Sequence, residues 1–321
     1  MESRIGELAA LGTALCWTIT ALSFESAGKR IGSFTVNIVR LFMAALLFAV
    51  YGWLVRGLPL PTDASPVAWA WLGLSGLVGF VIGDLLLFQA FVDIGARVSM
   101  LIYASVPPLT APLARFVLDE RLTPLGLLGM GLTVAGIAIV VLRRPAQAQQ
   151  PGDHVAPLAP FADPVGEASA YDATNPHRTR GVLLAFGGAL GQAGGLILGR
   201  LGAGVTLDAF AATQIRVFAG IIGFAVLFTI SRRWRTVVTA VRDAAAMRRV
   251  GLGALFGPFL GVSLGLYAAQ NTSAGIASTI MALVPVLIIV PSVLVFKERV
   301  TVREVVGAIV AVIGVSLLFW H

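Results

Sequence analysis

The second half of the chain repeats the first half at a fixed offset. Pro107 and the segment 120–123, with the sequence Glu-Arg-Leu-Thr, return 178 positions later as Pro285 and the segment 298–301, with the sequence Glu-Arg-Val-Thr. The same offset carries five small residues onto their counterparts: Gly79 onto Gly257, Gly83 onto Gly261, Ala104 onto Ala282, Gly129 onto Gly307 and Gly136 onto Gly314. Unrelated apolar sequence rarely keeps one register over so many positions, so two copies of one unit build the protein.

Each unit is built from apolar stretches that are long enough to cross a bilayer. With 57% hydrophobic and 12% charged residues, the chain carries more apolar surface than a water-soluble core of this size buries. Stretches of about 20 apolar residues predict transmembrane helices. They run over 5–25, 34–55, 67–91, 96–118, 124–142, 181–201, 208–230, 250–270, 274–296 and 302–320, numbered here as spans one to ten.

The first stretch resembles a signal peptide, but its small residues match those of span six at an offset of 175. We therefore expect it to be retained as span one. The predicted fold class is an all-α integral membrane protein with ten transmembrane helices in two five-helix repeats.

The domain division predicted from this pattern is 1–143 for the first repeat, 144–180 for a flexible linker and 181–321 for the second repeat. The linker is polar and rich in Pro and Ala, without helical or strand periodicity. A further basic piece, 232–249, is expected to lie at the membrane interface. Because five spans per repeat is an odd number, the second repeat must enter the membrane inverted, which is a recurring plan of secondary transporters.

The charge of the chain excludes one class of partner and leaves the orientation open. The net charge of +7 is scattered over short loops and forms no basic domain, so we expect no nucleic-acid partner. Of 23 Lys and Arg, sixteen fall on the side opposite the N-terminus, four on its own side and three within spans. The positive-inside rule then places both termini outside.

Small residues and prolines interrupt the spans at matching places. Glycines recur every fourth residue from Gly187 to Gly199 in span six and from Gly253 to Gly265 in span eight, which favours close helix packing. Pro107 in span four and Pro285 in span nine remove backbone hydrogen bonds, so we expect hinges or static bends there. Glu120 and its repeat, Glu298, are expected to stabilise the start of the helix that follows.

Arg40 and Arg216 occupy equivalent places in spans two and seven. A charge inside a span costs a few kcal/mol unless it is paired or hydrated. We expect Glu25 to neutralise the charge of Arg40 and Asp208 to neutralise that of Arg216. Because both repeats carry the arginine, a shared structural or gating role is favoured over contact with a solute.

Asp84 lies near the middle of span three, and its counterpart in the second repeat is Val262. The fold therefore does not require it, and an ionisable group inside a span is a candidate for function. With Phe80 and Phe88 four residues to either side, it forms an acidic and aromatic stripe that suits an amine-bearing solute or a proton. An ion pair with Arg40 or Arg115 is the equally weighted alternative.

Four further polar or aromatic residues are weaker candidates for contact with a solute, and Gln89 is another of this kind. They are Trp17 and Gln192 at matched places in spans one and six, Tyr103 in span four and Tyr267 in span eight. The three histidines lie in the linker or at the C-terminus, and no phosphate-binding loop is present. We therefore expect no metal, no cofactor and no enzyme activity.

The repeated proline in spans four and nine, the segments 119–123 and 297–301 and the glycine-rich span after each resemble the EamA family of the drug/metabolite transporter superfamily. The family's usual Gly before the Glu is replaced by Asp119 and Lys297. The resemblance implies an inner-membrane exporter or exchanger of small metabolites, with a cavity lined by spans 1, 3, 4, 6, 8 and 9. It usually implies cytoplasmic termini, against the count of basic residues.

The implied partners are a small-molecule solute, the lipid bilayer and protons as a coupling ion, in a monomer or weak dimer. The stripe around Asp84 favours an amino acid or another amine-bearing solute. A flippase of a lipid-linked substrate with the same fold is the alternative, and a membrane-embedded enzyme would need a cluster of acids or histidines that the sequence lacks.

Overall fold

The computed structural model describes residues 4–121, 123–141, 178–288 and 302–319. All regular secondary structure in these residues is helical. The α-helices are α1 Ile5–Ile31, α2 Ser33–Tyr51, α3 Pro66–Gly76, α4 Asp84–Tyr103, α5 Val106–Val117, α6 Pro124–Val141, α7 Arg178–Ala203, α8 Ala209–Ser231, α9 Trp234–Val241, α10 Ala244–Ala254, α11 Val262–Asn271, α12 Ala274–Met281, α13 Val284–Leu287 and α14 Val302–Leu318.

Six helices of the described chain are long and apolar enough to cross a membrane: Ile5–Ile31, Ser33–Arg56, Pro66–Ala96, Thr179–Ala203, Ala209–Ser231 and Ala244–Asn271. Shorter apolar helices cover Pro124–Ile139, Ala274–Leu287 and Val305–Leu318. Large apolar side chains stand on the outer surface, among them Phe116 at 86% and Leu54 at 77% exposure. An apolar surface of this extent is stable in contact with lipid. The all-helical membrane fold is therefore confirmed, while the count of ten spans stays a prediction.

Helix boundaries follow local chemistry. Asp208, which was expected to serve Arg216, instead caps α8 by accepting a hydrogen bond from the Ala211 N–H at 2.9 Å. Thr123 caps α6 in the same way through the Gly126 N–H at 3.0 Å. Helix α1 continues past the predicted end at residue 25, and it stops at Gly32, whose φ of 81° suits glycine.

Interruptions of the spans recur at matched positions of the two repeats, and those at the prolines were predicted. A π-helical segment joins α3 to α4 over Leu77–Gly83, and another joins α10 to α11 over Leu255–Gly261, which is an offset of 178. Span four breaks between α4 and α5 just before Pro107, and span nine breaks between α12 and α13 just before Pro285. Each proline therefore opens a new helical segment, where its missing N–H costs nothing.

The glycines bring helices of different repeats into backbone contact. A methyl group added at Gly191 would lie 2.5 Å from Gly83 Cα, and one at Gly195 would lie 3.0 Å from Gly79 Cα, so α7 sits directly on the π-helical segment of span three. In the matching contact, Thr13 Oγ1 of α1 donates to the Gly261 carbonyl at 3.1 Å. These two contacts tie each repeat to the other through spans three with six and one with eight.

Helices α6 and α14 pack on each other. A methyl group at Gly136 would collide with the backbone nitrogen of Ala311, and one at Gly129 would lie 2.9 Å from the Gly314 carbonyl oxygen. The basic piece 232–249 contains the eight-residue helix α9, and α10 begins within it at Ala244. The linker core 142–177 and the predicted helix start at Glu298 and Thr301 lie outside the described residues.

Candidate functional site

Asp84 stands at the point where the π-helical segment of span three returns to α-helix, and it pairs with Arg40 of α2. Arg40 Nη2 donates to Asp84 Oδ2 at 2.5 Å. Arg40 also donates from Nε and Nη2 to Asn37 Oδ1, at 3.3 and 3.1 Å. Of the two partners that the sequence left open for Asp84, the structure therefore brings Arg40 to it, whereas Arg115 pairs with Asp119 at the surface.

Aromatic rings surround this pair. Arg40 Cζ lies 4.6 Å from the centre of the Phe88 ring, 5.5 Å from Phe80 and 5.6 Å from Phe24. At these distances the ring faces attract the guanidinium charge. Phe80 and Phe88 thus contact Arg40, in addition to flanking Asp84 along the helix.

Arg216 of α8 also lies over the ring of Phe80. Its Cζ is 5.2 Å from the centre of that ring, and the residue is 3% exposed. Two glycines border the guanidinium, since a methyl group at Gly79 would lie 3.3 Å from Nη2 and one at Gly199 would lie 3.7 Å from Cζ. The Asp84 carboxylate acts electrostatically on Arg216. Among the described residues, however, Arg40 is the only cation within ion-pair distance of Asp84.

Glu25 does not neutralise Arg40 as the sequence suggested. It pairs with Lys29 one turn further along α1, at 2.9 Å, because α1 extends to Ile31 and carries both residues on one face. Asn37 and Phe24, which sequence reasoning missed, hold Arg40 in its place. The spacing of Asn37 three residues before Arg40 on one helix is the signal that could have revealed the first of them.

The four remaining candidates for contact with a solute have polar side-chain atoms that are not used in hydrogen bonds within the described chain. Trp17 and Tyr103 meet edge to face with ring centres 6.2 Å apart, and Asp84, Arg40 and Arg216 all act electrostatically on Tyr103. Gln192 and Tyr267 are half-buried. Within the described part of the chain, no side-chain hydrogen bond is made by any of the four candidates Trp17, Tyr103, Gln192 and Tyr267.

A second polar cluster joins the two repeats near the end of α5, away from Asp84. Glu120 accepts a hydrogen bond from the Ala274 N–H at the start of α12, at 2.8 Å, and Arg200 lies 3.5 Å from its other oxygen. Burial raises the pKa of the Glu120 carboxyl, and the Ala274 N–H and the Arg200 charge offset part of that rise. Glu120 does stabilise a helix start, but the helix belongs to the other repeat.

The side chains around Asp84 are charged and aromatic. In the described part of the chain, no group of three or more His, Cys, Asp or Glu residues is placed to hold a metal ion. The cluster of Arg40, Asp84 and Arg216, with Phe24, Phe80 and Phe88 around it, offers fixed charges and aromatic faces inside the helical bundle. We refer to these six residues as the central charge cluster.

Comparisons with known proteins agree with this architecture. A sequence model described as "EamA-like transporter family" matches residues 4–142 and 179–320, which is most of the chain and covers both repeats. A solved structure titled "Crystal structure of protein" superposes with a TM-score of 0.64 at 16% identity, over 97% of this chain and 95% of that chain. That likeness concerns the fold. No curated protein matches the sequence.

Proposed function

Since the chain belongs to the EamA-like transporter family and is a multi-pass membrane transporter, we propose that it exports or exchanges a small metabolite by alternating access between its inverted repeats. The inner cell membrane is the proposed location. Amino acids and other amine-bearing solutes are the first class to test. Movement is secondary active or facilitative, because the sequence carries no ATP-binding loop.

The observation that carries this proposal is the matched set of interruptions. The π-helical segments of spans three and eight, and the breaks before Pro107 and Pro285, occupy equivalent positions in the two repeats. Discontinuous helices at corresponding places line the substrate path of transporters with inverted repeats. Pro107 and Pro285 are the hinges in this proposal, and the helical segment on either side of each break can tilt separately.

The position of the central charge cluster, directly beside a π-helical segment, supports a substrate path at these interruptions. Asp84 follows directly on one π-helical segment, and Val262 follows on the other. Trp17, Tyr103, Gln192 and Tyr267 belong to spans one, four, six and eight, and we propose that their polar groups face the solute. The proton is the coupling ion to test first, because Asp84 is the ionisable acid of the cluster.

Metabolite profiling of cells with and without overexpression would identify the exported solute. Flux of that labelled solute would then be measured in proteoliposomes, for the wild type and for Asp84→Asn. The amide keeps an acceptor for Arg40, so we expect a folded protein with transport abolished or uncoupled from the proton gradient. Normal, pH-dependent transport by the variant would remove Asp84 from the mechanism.

The same vesicles separate solute transport from lipid flipping. Fluorescent lipids incorporated during reconstitution report whether headgroups cross the bilayer. Solute flux without lipid movement is expected, and lipid movement without flux of any profiled metabolite would favour the flippase.

A further inference from the structure

We infer that Arg216 is the residue that binds an acidic group of the transported solute, in the first place a carboxylate. The inference rests on the proposed transport function, and it names the class of solute that the site accepts. It also assigns different roles to Arg40 and Arg216, which occupy equivalent positions in the two repeats.

Arg216 is a buried charge whose donors have no acceptor within the described residues. It is 3% exposed, and its Nε atom is fully buried without a hydrogen-bond partner. Among the described residues, no carboxylate lies within ion-pair distance of this guanidinium, and no group accepts a hydrogen bond from it. A buried guanidinium without a partner is strongly destabilising, so a protein keeps one where something else completes it.

The first repeat shows what the missing partner would be. Arg40 bonds to Asp84, which begins the α-helix after the π-helical segment of span three. Under the internal repeat, Arg216 replaces Arg40 and Val262 replaces Asp84. The position that supplies a carboxylate in the first repeat therefore supplies an isopropyl group in the second.

Two polar side chains lie on helices that border Arg216. On α11, Ser263 lies one turn before Leu266, whose side chain borders Gly199 together with Arg216. Ser263 is fully buried, and its hydroxyl has no hydrogen-bond partner in the described chain. On α7, Gln192 lies two turns before Gly199 on the same face. A carboxylate at Arg216 would find a guanidinium that can bind it through two parallel hydrogen bonds.

The charge of the cluster points the same way. Two guanidinium groups face one carboxylate, and that carboxylate is already bonded to Arg40. A solute that carries only an amine would add a second positive charge beside the Arg216 guanidinium, whereas a carboxylate would neutralise the charge of Arg216. Amino acids remain candidates through their carboxylate, and amines that lack an acidic group do not.

The test is the thermal stability of the purified full-length protein with three matched sets of probes. These are amino acids, the carboxylates that remain when their amine is removed, and the corresponding carboxamides, which keep the amine and lose the acid. We expect at least one carboxylate to raise the melting temperature of the wild type and to leave Arg216→Met unchanged. Inorganic phosphate serves as a separate arm.

Four outcomes would overturn the inference. They are stabilisation by carboxamides as strong as that by the acids, an equal effect of the acid on Arg216→Met, stabilisation by phosphate alone, and no stabilisation of the wild type by any carboxylate.

Two substitutions test the unpaired state without a ligand. Val262→Asp places the missing acid at the position equivalent to Asp84, so we expect a higher melting temperature and no further effect of carboxylates. Arg216→Met removes the uncompensated charge and should also raise the melting temperature, whereas Arg40→Met, the matched control in the first repeat, should lower it. Equal destabilisation by Arg216→Met and Arg40→Met would show that Arg216 is paired as Arg40 is.

The inference and the proposed function fail in different ways. If the protein transports an amine that lacks an acidic group and Arg216→Met transports it normally, the carboxylate assignment is wrong and transport stands. If no solute crosses the membrane while a carboxylate still stabilises the wild type through Arg216, the site exists and transport is wrong.

Discussion

The pairing of Arg40 with Asp84 should appear as a large coupling energy between two positions that are 44 residues apart. The bond is 2.5 Å long, and the Arg40 side chain is 3% and the Asp84 side chain 17% exposed. Removing one member of a buried pair costs about 3 to 5 kcal/mol, since the other charge stays behind without a partner. We expect Asp84→Val to fall near the lower end, because Arg40 keeps Asn37 and three aromatic faces.

Arg40→Leu should cost more than Asp84→Val. It leaves the Asp84 carboxylate unpaired and the Asn37 oxygen without its donor, and it removes attractions to the rings that are worth about 0.5 to 2 kcal/mol each. The double variant Arg40→Leu/Asp84→Val has neither charge, so its cost should be far below the sum of the single costs. The coupling energy should therefore reach at least about 2 kcal/mol.

The assay is a double-mutant cycle of unfolding free energies in mixed micelles with increasing sodium dodecyl sulfate. Side-chain hydrogen bonds between membrane helices average about 0.6 kcal/mol, so a coupling above about 2 kcal/mol identifies a charge pair. A coupling near or below about 0.6 kcal/mol would refute the pairing on which the assignment of roles in the central charge cluster depends.

Three further outcomes follow from other contacts. Gly136→Leu should destabilise the packing of α6 on α14 by about 1 to 3 kcal/mol, while Gly131→Leu, on the same helix with no atom near its added methyl group, should be close to neutral in the same unfolding assay. Gly191→Val should abolish transport by forcing α7 away from span three, and activity equal to that of Gly73→Val would contradict this. Because burial raises the pKa of Glu120, folding favours its protonated form. The melting temperature of the wild type should therefore fall relative to that of Glu120→Gln as the pH rises through the raised pKa. A constant difference in melting temperature across that range would contradict the burial of the Glu120 carboxyl.

Much of the fold could be predicted from sequence because the apolar spans and their repetition are visible without knowing which helices pack together. The glycines and prolines that interrupt the spans recur at one register, and the π-helical segments and helix breaks fall at that register. Asp84 stood out because an acid in the middle of an apolar span is expected to be either paired or functional.

The partners of the charges could not be predicted, because they depend on which helix faces meet. Glu25 was near enough in sequence to suggest a bond with Arg40, but the length of α1 places it beside Lys29. Glu120 was assigned to the helix that follows it, whereas the packing of α5 against α12 brings it to Ala274, 154 residues away. Repetition suggested one role for Arg40 and Arg216. The three-dimensional arrangement shows that Arg40 is paired with Asp84, whereas Arg216 has no such partner among the described residues.

Flux of the solute identified by metabolite profiling, measured in proteoliposomes of wild type and Arg216→Met side by side, tests the central claim most directly. We expect the wild type to exchange a solute that carries a carboxylate, with the rate falling to the level of empty vesicles in Arg216→Met. Equal rates in both proteins, or flux confined to solutes without an acidic group, would contradict the claim that Arg216, which has no ion-pair partner among the described residues, binds the transported solute.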